Sequence, residues 1–143
     1  MLIQDKISIA SPPSAVWAVK IDVARWSIWS PTATYALSAG LPLKVGCEVL
    51  LKQPAQPKMI WRVTEFGPGY YFAWETSGKA LRMRATYHIT PHGSGAECVL
   101  TLKVFGSLRR IVASIIFLPI RNAIKQENRA LKEWCESGRG AKS

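Results

Sequence analysis

The spacing of turn-forming residues between positions 33 and 106 constrains the fold more than any other feature of the 143-residue chain. Six strand-like segments follow one another there, and every break between them contains Gly or Pro, whose backbone angles suit tight turns. Parallel neighbours in a sheet need crossover connections of about a dozen residues or more, which these breaks cannot provide. The pattern therefore predicts an antiparallel meander. Its predicted strands are 33–38, 46–52, 58–66, 70–76, 80–90 and 96–106.

One more strand and two helical regions flank the meander. Residues 2–9 alternate between apolar and polar side chains, which is typical of a strand with one buried face. A Ser-Pro-Pro sequence then favours a helix start, and we expect helices over 12–30. The last segment, Leu108 to Glu136, has apolar residues at helical spacing, and Pro119 inside it predicts a bend or a break. Residues 136–143 are expected to fray.

The composition predicts one folded domain over residues 1–143. Hydrophobic residues make up 48% and charged residues 20% of the chain, which is ordinary for a globular domain of this length. Three cysteines without a CxxC pair indicate reduced thiols in the cytoplasm rather than a disulfide framework or a zinc site. The longest apolar run, 111–120, is too short to cross a bilayer as a helix. We therefore expect a cytoplasmic protein without a transmembrane segment.

The net charge of +10 raises the question of an acidic partner, either nucleic acid or an anionic membrane. The basic residues are scattered, and no RNA-binding motif or zinc-finger spacing accompanies them, so we expect a solvated basic surface and no nucleic-acid partner. The apolar run 111–120 lies between Arg109, Arg110 and Arg121, and this mixture suits anionic lipid headgroups. Weak peripheral contact with a membrane therefore stays open.

Several short motifs occur in a fixed order over about residues 2 to 136. They are the strand Ile7–Ile9 leading into Ser11–Trp17, then Arg25–Pro31, Leu43–Val49, Ile60–Phe66 before a glycine turn, and the hairpin Tyr87–Gly95. This ordered set resembles the START-like (SRPBCC) superfamily, in its polyketide cyclase/dehydrase and lipid-transport branch. The resemblance implies an α+β helix-grip fold, in which a curved antiparallel sheet of about seven strands surrounds a long C-terminal helix. It also implies a cavity between the sheet and this helix that binds lipids, polyketides or other hydrophobic molecules, without fixing one activity.

The alternation of side chains along each strand predicts which residues face the last helix. The apolar parity is Leu81, Met83, Ala85, Tyr87 and Ile89 on one strand, and Cys98, Leu100, Leu102 and Val104 on the next. Met59, Trp61 and Val63, and Phe72 and Trp74, are inward by the same rule. Trp26 and Trp29 lie in the segment that caps the cavity mouth in the resembled family, where the alternatives for either are a gate and a lid packed on the core. The predicted ligand-binding residues are Trp61, Trp74, Met83, Ala85, Tyr87, Leu100 and Trp29, with packing in the core as the alternative for each.

Motifs of catalysis and of metal binding are missing from the sequence. It contains no GxSxG, P-loop, GxGxxG or HExxH pattern, and we expect neither a metal site nor a cofactor. A catalytic acid or base would have to come from Tyr87, which is inward by parity, or from His88 or Glu75 if a bulge turned them inward. Glu127 on the last helix is expected on a solvated face.

Three functions remain open at this point. The first is binding of a small hydrophobic molecule, as a carrier or a sensor. The second is a cyclase or dehydratase acting on a polyketide-like substrate, and the third is a protein-interaction module similar to chaperone regulators. Charged residues in the cavity would favour the enzyme. An apolar cavity with one or two hydroxyls would favour the carrier, and a cavity filled by the protein's own side chains would favour the interaction module.

Overall fold

The computed structural model of this protein describes residues 2–38, 42–53, 58–77, 82–106 and 109–137. The strands in these ranges are β1 (Leu2–Ile9), β2 (Tyr35–Ser38), β3 (Glu48–Lys52), β4 (Met59–Gly67), β5 (Tyr71–Ser77), β6 (Arg82–His92) and β7 (Gly95–Phe105). The helices are α1 (Pro13–Ile21), a 3₁₀ turn at Val23–Arg25, α2 (Trp26–Trp29) and α3 (Arg109–Glu136). Helical structure over 12–30 is thus confirmed, in three short pieces.

The sheet is a single antiparallel layer of these seven strands in the order β1-β7-β6-β5-β4-β3-β2. Strands β2 to β7 pair with their neighbours in sequence, as the short turns predicted, and β1 adds to the outer edge of β7. The curved sheet packs against α3, so the predicted α+β helix-grip fold is confirmed.

The inward face of the sheet follows the predicted parity. All four predicted side chains of β7 are buried, and on β6 Ala85, Tyr87 and Ile89 are buried while Met83 is half-buried. Leu81 lies outside the described residues. A bulge between Val63 and Glu65 shifts the register of β4 against β5. It comes after Trp61, which therefore stays inward, and it turns Phe66 toward the core, where its ring packs 5.5 Å from that of Trp17.

Helix α3 continues through Pro119 and is not divided into two helices, so the predicted break does not occur and the bend stays a prediction. Its C-terminal half is fixed to β1. The buried Asn128 donates from Nδ2 to the backbone oxygen of Asp5 at 3.3 Å and to its carboxylate at 2.9 Å, and Lys132 donates to the backbone oxygen of Ser8 at 3.0 Å. Leu108 and residues 138–143 lie outside the described ranges.

Candidate functional site

A cavity lies between the inward face of the sheet and α3. Strands β3 to β7 supply one wall, Ile120, Ala123, Ile124 and Glu127 of α3 supply the other, and Trp26 and Thr32 complete the lining. About 70 Å³ of it is open to the centre of a water molecule. One water needs roughly 10–15 Å³ by this measure, so the cavity has room for about five waters and is about half the size of a cavity of about 150 Å³ that binds benzene.

Six of the seven residues predicted from the sequence lie together on this wall: Trp61, Trp74, Met83, Ala85, Tyr87 and Leu100. Trp29 does not. Its ring lines a separate surface groove between α2 and α3, together with Ile28, Ala130, Glu133, Trp134 and Ser137. The rings of Trp26 and Trp29 are neighbours, with their centroids 6.1 Å apart, but Trp26 is the one that lines the cavity.

The rim of the cavity is marked by lining residues that are only half-buried. These are Gln53, Met83, Ile120 and Ala123, whereas the other lining residues are buried. Ile120 and Ala123 belong to the first turns of α3 after Pro119. Solvent therefore reaches the cavity at the middle of α3, next to β3 and β6.

Four aromatic rings build the deeper wall around Trp74. The Trp74 ring centroid lies 5.3 Å from that of Trp26, 5.7 Å from that of Trp61 and 5.9 Å from that of Tyr87, mostly in edge-to-face arrangements that suit aromatic rings. Trp61 is buried, and its Nε1–H has no hydrogen-bond acceptor among the residues described. The wall is thus apolar and rigid, and the Trp61 N–H is an unused donor in it.

Glu127 is not solvated, which corrects the expectation from the sequence. Its side chain is only 7% exposed and lines the cavity, and its Oε2 lies 3.1 Å from Nζ of Lys20 on α1, which is fully buried. The signal for burial was present in the sequence, because Glu127 follows Ile124 by three positions and precedes Leu131 by four, on the apolar stripe of α3. The sequence of α3 does not indicate which residue compensates the charge of Glu127, because Lys20 belongs to α1.

The ammonium group of Lys20 is enclosed by aromatic rings. Its Nζ lies 4.4 Å from the ring centroid of Tyr87, 5.0 Å from that of Trp26 and 5.6 Å from that of Trp29. The contact with Glu127 is not aligned as a hydrogen bond, and no other acceptor occurs in the described ranges, so Coulomb attraction and the ring faces hold the charge. Trp26 Nε1 also donates to the backbone oxygen of Lys20 at 3.0 Å, which fixes α2 against α1.

Tyr87 is a neutral phenol in this environment. Burial raises its pKa well above the ordinary value, the nearby Glu127 carboxylate raises it further, and a hydrogen bond with the Trp74 side chain acts in the opposite direction. Burial likewise raises the pKa of the Cys98 and Cys135 thiols to about 11. Neither thiol is therefore a ready nucleophile at neutral pH.

The two conditional candidates for catalysis face away from the cavity. His88 is exposed on the outer side of the sheet, where it lies 4.7 Å from the ring of Tyr71. Glu75 also lies on the outer side, 4.0 Å from Arg84. No bulge turns either of them inward, because the register of β5 with β6 is regular throughout.

None of the described helices combines the length and the apolarity that a membrane span requires.

Comparison with known proteins agrees with this geometry. The family model for polyketide cyclase / dehydrase and lipid transport matches residues 2–136. The chain belongs to this family. The description of this family supports the interpretation of the chain as a module that binds hydrophobic ligands. No curated protein matches the chain in sequence.

Solved structures share the fold at low sequence identity. A hypothetical protein from Helicobacter pylori has a TM-score of 0.82 at 11% identity, over 94% of this chain and 88% of that one. A Thermus thermophilus protein has a TM-score of 0.78 at 14% identity, over 96% and 99% of the two chains. The Aha1 dimer from Colwellia psychrerythraea has a TM-score of 0.77 at 13% identity, over 96% and 98%. At these identities the likeness concerns the fold alone.

Proposed function

We propose that this protein binds a small hydrophobic ligand in the cavity between the sheet and α3, as a carrier or a sensor. One observation carries the proposal: the aromatic and aliphatic wall around Trp61, Trp74 and Leu100 borders space for about five waters that none of the described side chains fills. Protein cores rarely leave voids larger than a water, because unfilled space loses packing contacts. A retained apolar space with an accessible rim favours a binding role over a purely structural one.

The size of the cavity favours a ligand of about one ring that extends into the rim, or a short acyl group, over a whole lipid. Burial of about 200 Å² of ligand surface at about 25 cal/mol per Å² gives roughly 5 kcal/mol before association costs. A purely apolar ligand of this size is therefore expected to bind with a Kd on the order of 0.1 to 1 mM. Lipids or polyketides with more than one ring would need the rim at Gln53, Met83, Ile120 and Ala123 to open.

Titration with the neutral one-ring compound 4-ethylanisole, followed by calorimetry, tests the proposal. Ala123→Phe should fill the cavity from the rim and lower the affinity at least about tenfold. The matched control is Ala130→Phe, which is half-buried on the same helix but lines the other groove. Absence of binding by the unmodified protein would sink the proposal and favour the interaction-module alternative. Equal binding by a folded Ala123→Phe variant would mean that the ligand binds elsewhere.

The second candidate is an enzyme of the cyclase or dehydratase type, and the position of Glu127 on the cavity wall favours it. A carboxylate on an otherwise apolar wall is a group that can take a proton from a bound substrate. The neutral Tyr87 would stay a hydrogen-bond donor. An aryl β-hydroxyketone offers a test, since loss of its α-proton and its hydroxyl as water gives a conjugated enone with a new absorbance. The enone should form faster with the protein than with its Lys20→Met/Glu127→Leu variant, and an unchanged rate would exclude this reaction.

A peripheral membrane contact of α3 also stays a proposal, supported by apolar side chains on its exposed surface. The Ile115 side chain is 68% exposed and that of Leu118 is 61% exposed, and Phe117 is exposed as well. These three residues precede the rim residue Ile120 and the basic Arg121 in the chain. Ile115→Ser/Leu118→Ser should weaken co-sedimentation with anionic phosphatidylserine vesicles, while Ile60→Ser, equally exposed on the sheet, should not. Equal binding to neutral and anionic vesicles would remove the proposal. A cytoplasmic location and the absence of a nucleic-acid partner stay predictions.

A further inference from the structure

The polar groups on the cavity wall select the chemistry of the ligand beyond its size. The Thr32 hydroxyl is hydrogen-bonded to the Ser30 hydroxyl at 2.8 Å, and the Tyr87 hydroxyl is hydrogen-bonded to the Trp74 side chain. Gln53 lies at the rim, where water reaches it. Three wall residues retain unused hydrogen-bonding capacity within the described part of the chain. They are Glu127, whose contact there is the ion pair with Lys20, Trp61, whose Nε1–H has no acceptor, and Tyr87, whose hydroxyl accepts from the Trp74 indole and keeps its own proton. Glu127 is the acceptor among the three.

We propose that the ligand is a neutral hydroxyl compound, a small phenol or alcohol, whose hydroxyl donates a hydrogen bond to the Glu127 carboxylate. This inference rests on the proposed binding function and specifies the class of ligand. An oxygen elsewhere on the ligand would accept from Trp61 Nε1–H on the opposite wall, since β4 and α3 lie on the two sides of the cavity.

The way in which Lys20 is buried explains why the ligand is neutral. The lysine is fully buried and is not part of the cavity wall, so a ligand meets the carboxylate and not the ammonium group. A ligand carboxylate would be repelled by Glu127 at short range in a region of low dielectric. A ligand ammonium would add a second positive charge beside Lys20, with only one carboxylate for both. A neutral donor satisfies Glu127 and keeps the ion pair balanced.

A hydroxyl donor also fits the strength of the expected interaction. A hydrogen bond to an ionised carboxylate is stronger than one between neutral groups, and the cavity excludes most of the water that would compete with it. We therefore expect a phenol to bind at least about tenfold more tightly than its methyl ether. The ether keeps the oxygen acceptor and the aromatic surface and has a methyl group in place of the donor proton. Equal binding of the two compounds by the Lys20→Met/Glu127→Leu variant would show that this methyl group fits.

The experiment compares 4-ethylphenol, 4-ethylanisole and the anion 4-ethylbenzoate by calorimetry at neutral pH. The expected order is the phenol first, the ether at least about tenfold weaker, and the benzoate without measurable binding. The variant Lys20→Met/Glu127→Leu replaces the ion pair by apolar side chains, which proteins tolerate well. It should bind the phenol and the ether equally, and it should still exclude the benzoate, because an apolar wall does not solvate a carboxylate.

The control variant is Lys132→Met/Glu136→Leu, which removes an ion pair on the exposed side of the same helix. It should keep the preference of the unmodified protein. Thermal unfolding of both variants checks that they are folded. If the double variant is not, the order of the three compounds on the unmodified protein still decides the inference.

Each result decides between the two proposals. Binding of the ether and the phenol with equal affinity by the unmodified protein would overturn the hydroxyl inference and leave the apolar binding function standing. Tight binding of the benzoate would overturn the inference as well. Failure of all three compounds to bind would overturn the proposed binding function itself.

Discussion

Two clusters of charged residues on opposite sides of the sheet differ in how their charges are satisfied. On the outer side, Arg84 lies 2.9 Å from the Glu65 carboxylate, and the Tyr71 hydroxyl donates to the same carboxylate at 2.6 Å. On the inner side, Lys20 and Glu127 are 3.1 Å apart without an aligned hydrogen bond, and both are almost fully buried. The outer cluster is hydrogen-bonded and partly solvated, and the inner pair is neither.

The difference indicates separate reasons for the two clusters. A solvated pair contributes little to stability because water and salt screen its charges. A buried ion pair loses the hydration free energy of both groups, and their attraction compensates for this loss only in part. A protein with apolar side chains in place of the pair is therefore often no less stable. Stability alone therefore does not account for Lys20 and Glu127, whereas the proposed hydrogen bond from a ligand to Glu127 would.

Glu127→Gln should lower the free energy of unfolding by about 3–5 kcal/mol, because it leaves the Lys20 ammonium buried without a counter-charge. The same substitution on the outer cluster, Glu65→Gln, should have a far smaller effect. The double variant Lys20→Met/Glu127→Leu should recover most or all of the loss. Urea unfolding of the four proteins measures these differences. A double variant as unstable as Glu127→Gln would contradict the interpretation that burial of an unpaired charge is the cause.

Trp74→Phe should cost more stability than Trp61→Phe, by about 1–3 kcal/mol. Both substitutions remove similar apolar surface from the cavity wall. Only Trp74 loses a hydrogen bond, to the buried Tyr87 hydroxyl, whereas Trp61 loses a donor that has no acceptor in the described structure. Equal losses in urea unfolding would mean that the Trp61 N–H has a partner such as an ordered water.

Tyr87 should make the protein less stable at alkaline pH. Because its pKa is raised in the folded state, its contribution is present below the ordinary value of 10.0 and is lost as the pH rises above it, by up to about 1.4 kcal/mol per pH unit. Tyr87→Phe should flatten this decline in urea unfolding between pH 9 and about 11, and the exposed Tyr70→Phe should leave it unchanged. Parallel curves for all three proteins would argue against a buried phenol.

Two exposed carboxylates should give the smallest effect, at acid pH. The pKa of Glu65 is lowered by the hydrogen bond from Tyr71 and by Arg84, and that of Glu136 by the backbone N–H of Ala10 and by Lys132. Their stabilisation is present above the ordinary carboxyl pKa of 4.5 and decreases as the pH falls below it. Glu65→Gln/Glu136→Gln should reduce this acid loss slightly. A steeper loss in the variant would contradict the assigned directions.

Most of the sheet and its cavity face could be predicted because both depend on local patterns. Short turns with Gly and Pro require antiparallel neighbours, and a period of two assigns each side chain to a face wherever the strand is regular. Met83, Ala85, Tyr87 and Leu100 follow from that parity. Trp61 and Trp74 follow as well, since the bulge of β4 lies beyond Val63.

The helical side of the cavity was predicted less well, because a single helical turn does not indicate which of its apolar side chains is the innermost. Trp26 and Trp29 are three positions apart on one four-residue helix, yet only Trp26 reaches the cavity. The sequence of this segment is compatible with either tryptophan as the inner one. Its orientation is fixed by contacts outside it, including the hydrogen bond from Trp26 to the backbone of Lys20.

The sequence by itself determined an antiparallel sheet with an apolar inner face and a long amphipathic last helix, because these depend on residues close together in the chain. The apolar stripe of α3 indicates that Glu127 is buried, but its partner, Lys20, follows only from the packing of the folded chain. The two residues lie near opposite ends of the chain, on α1 and α3. Only the packing of both helices over the sheet brings their charges together and encloses them in aromatic rings, since burial of either charge without the other would be too unfavourable.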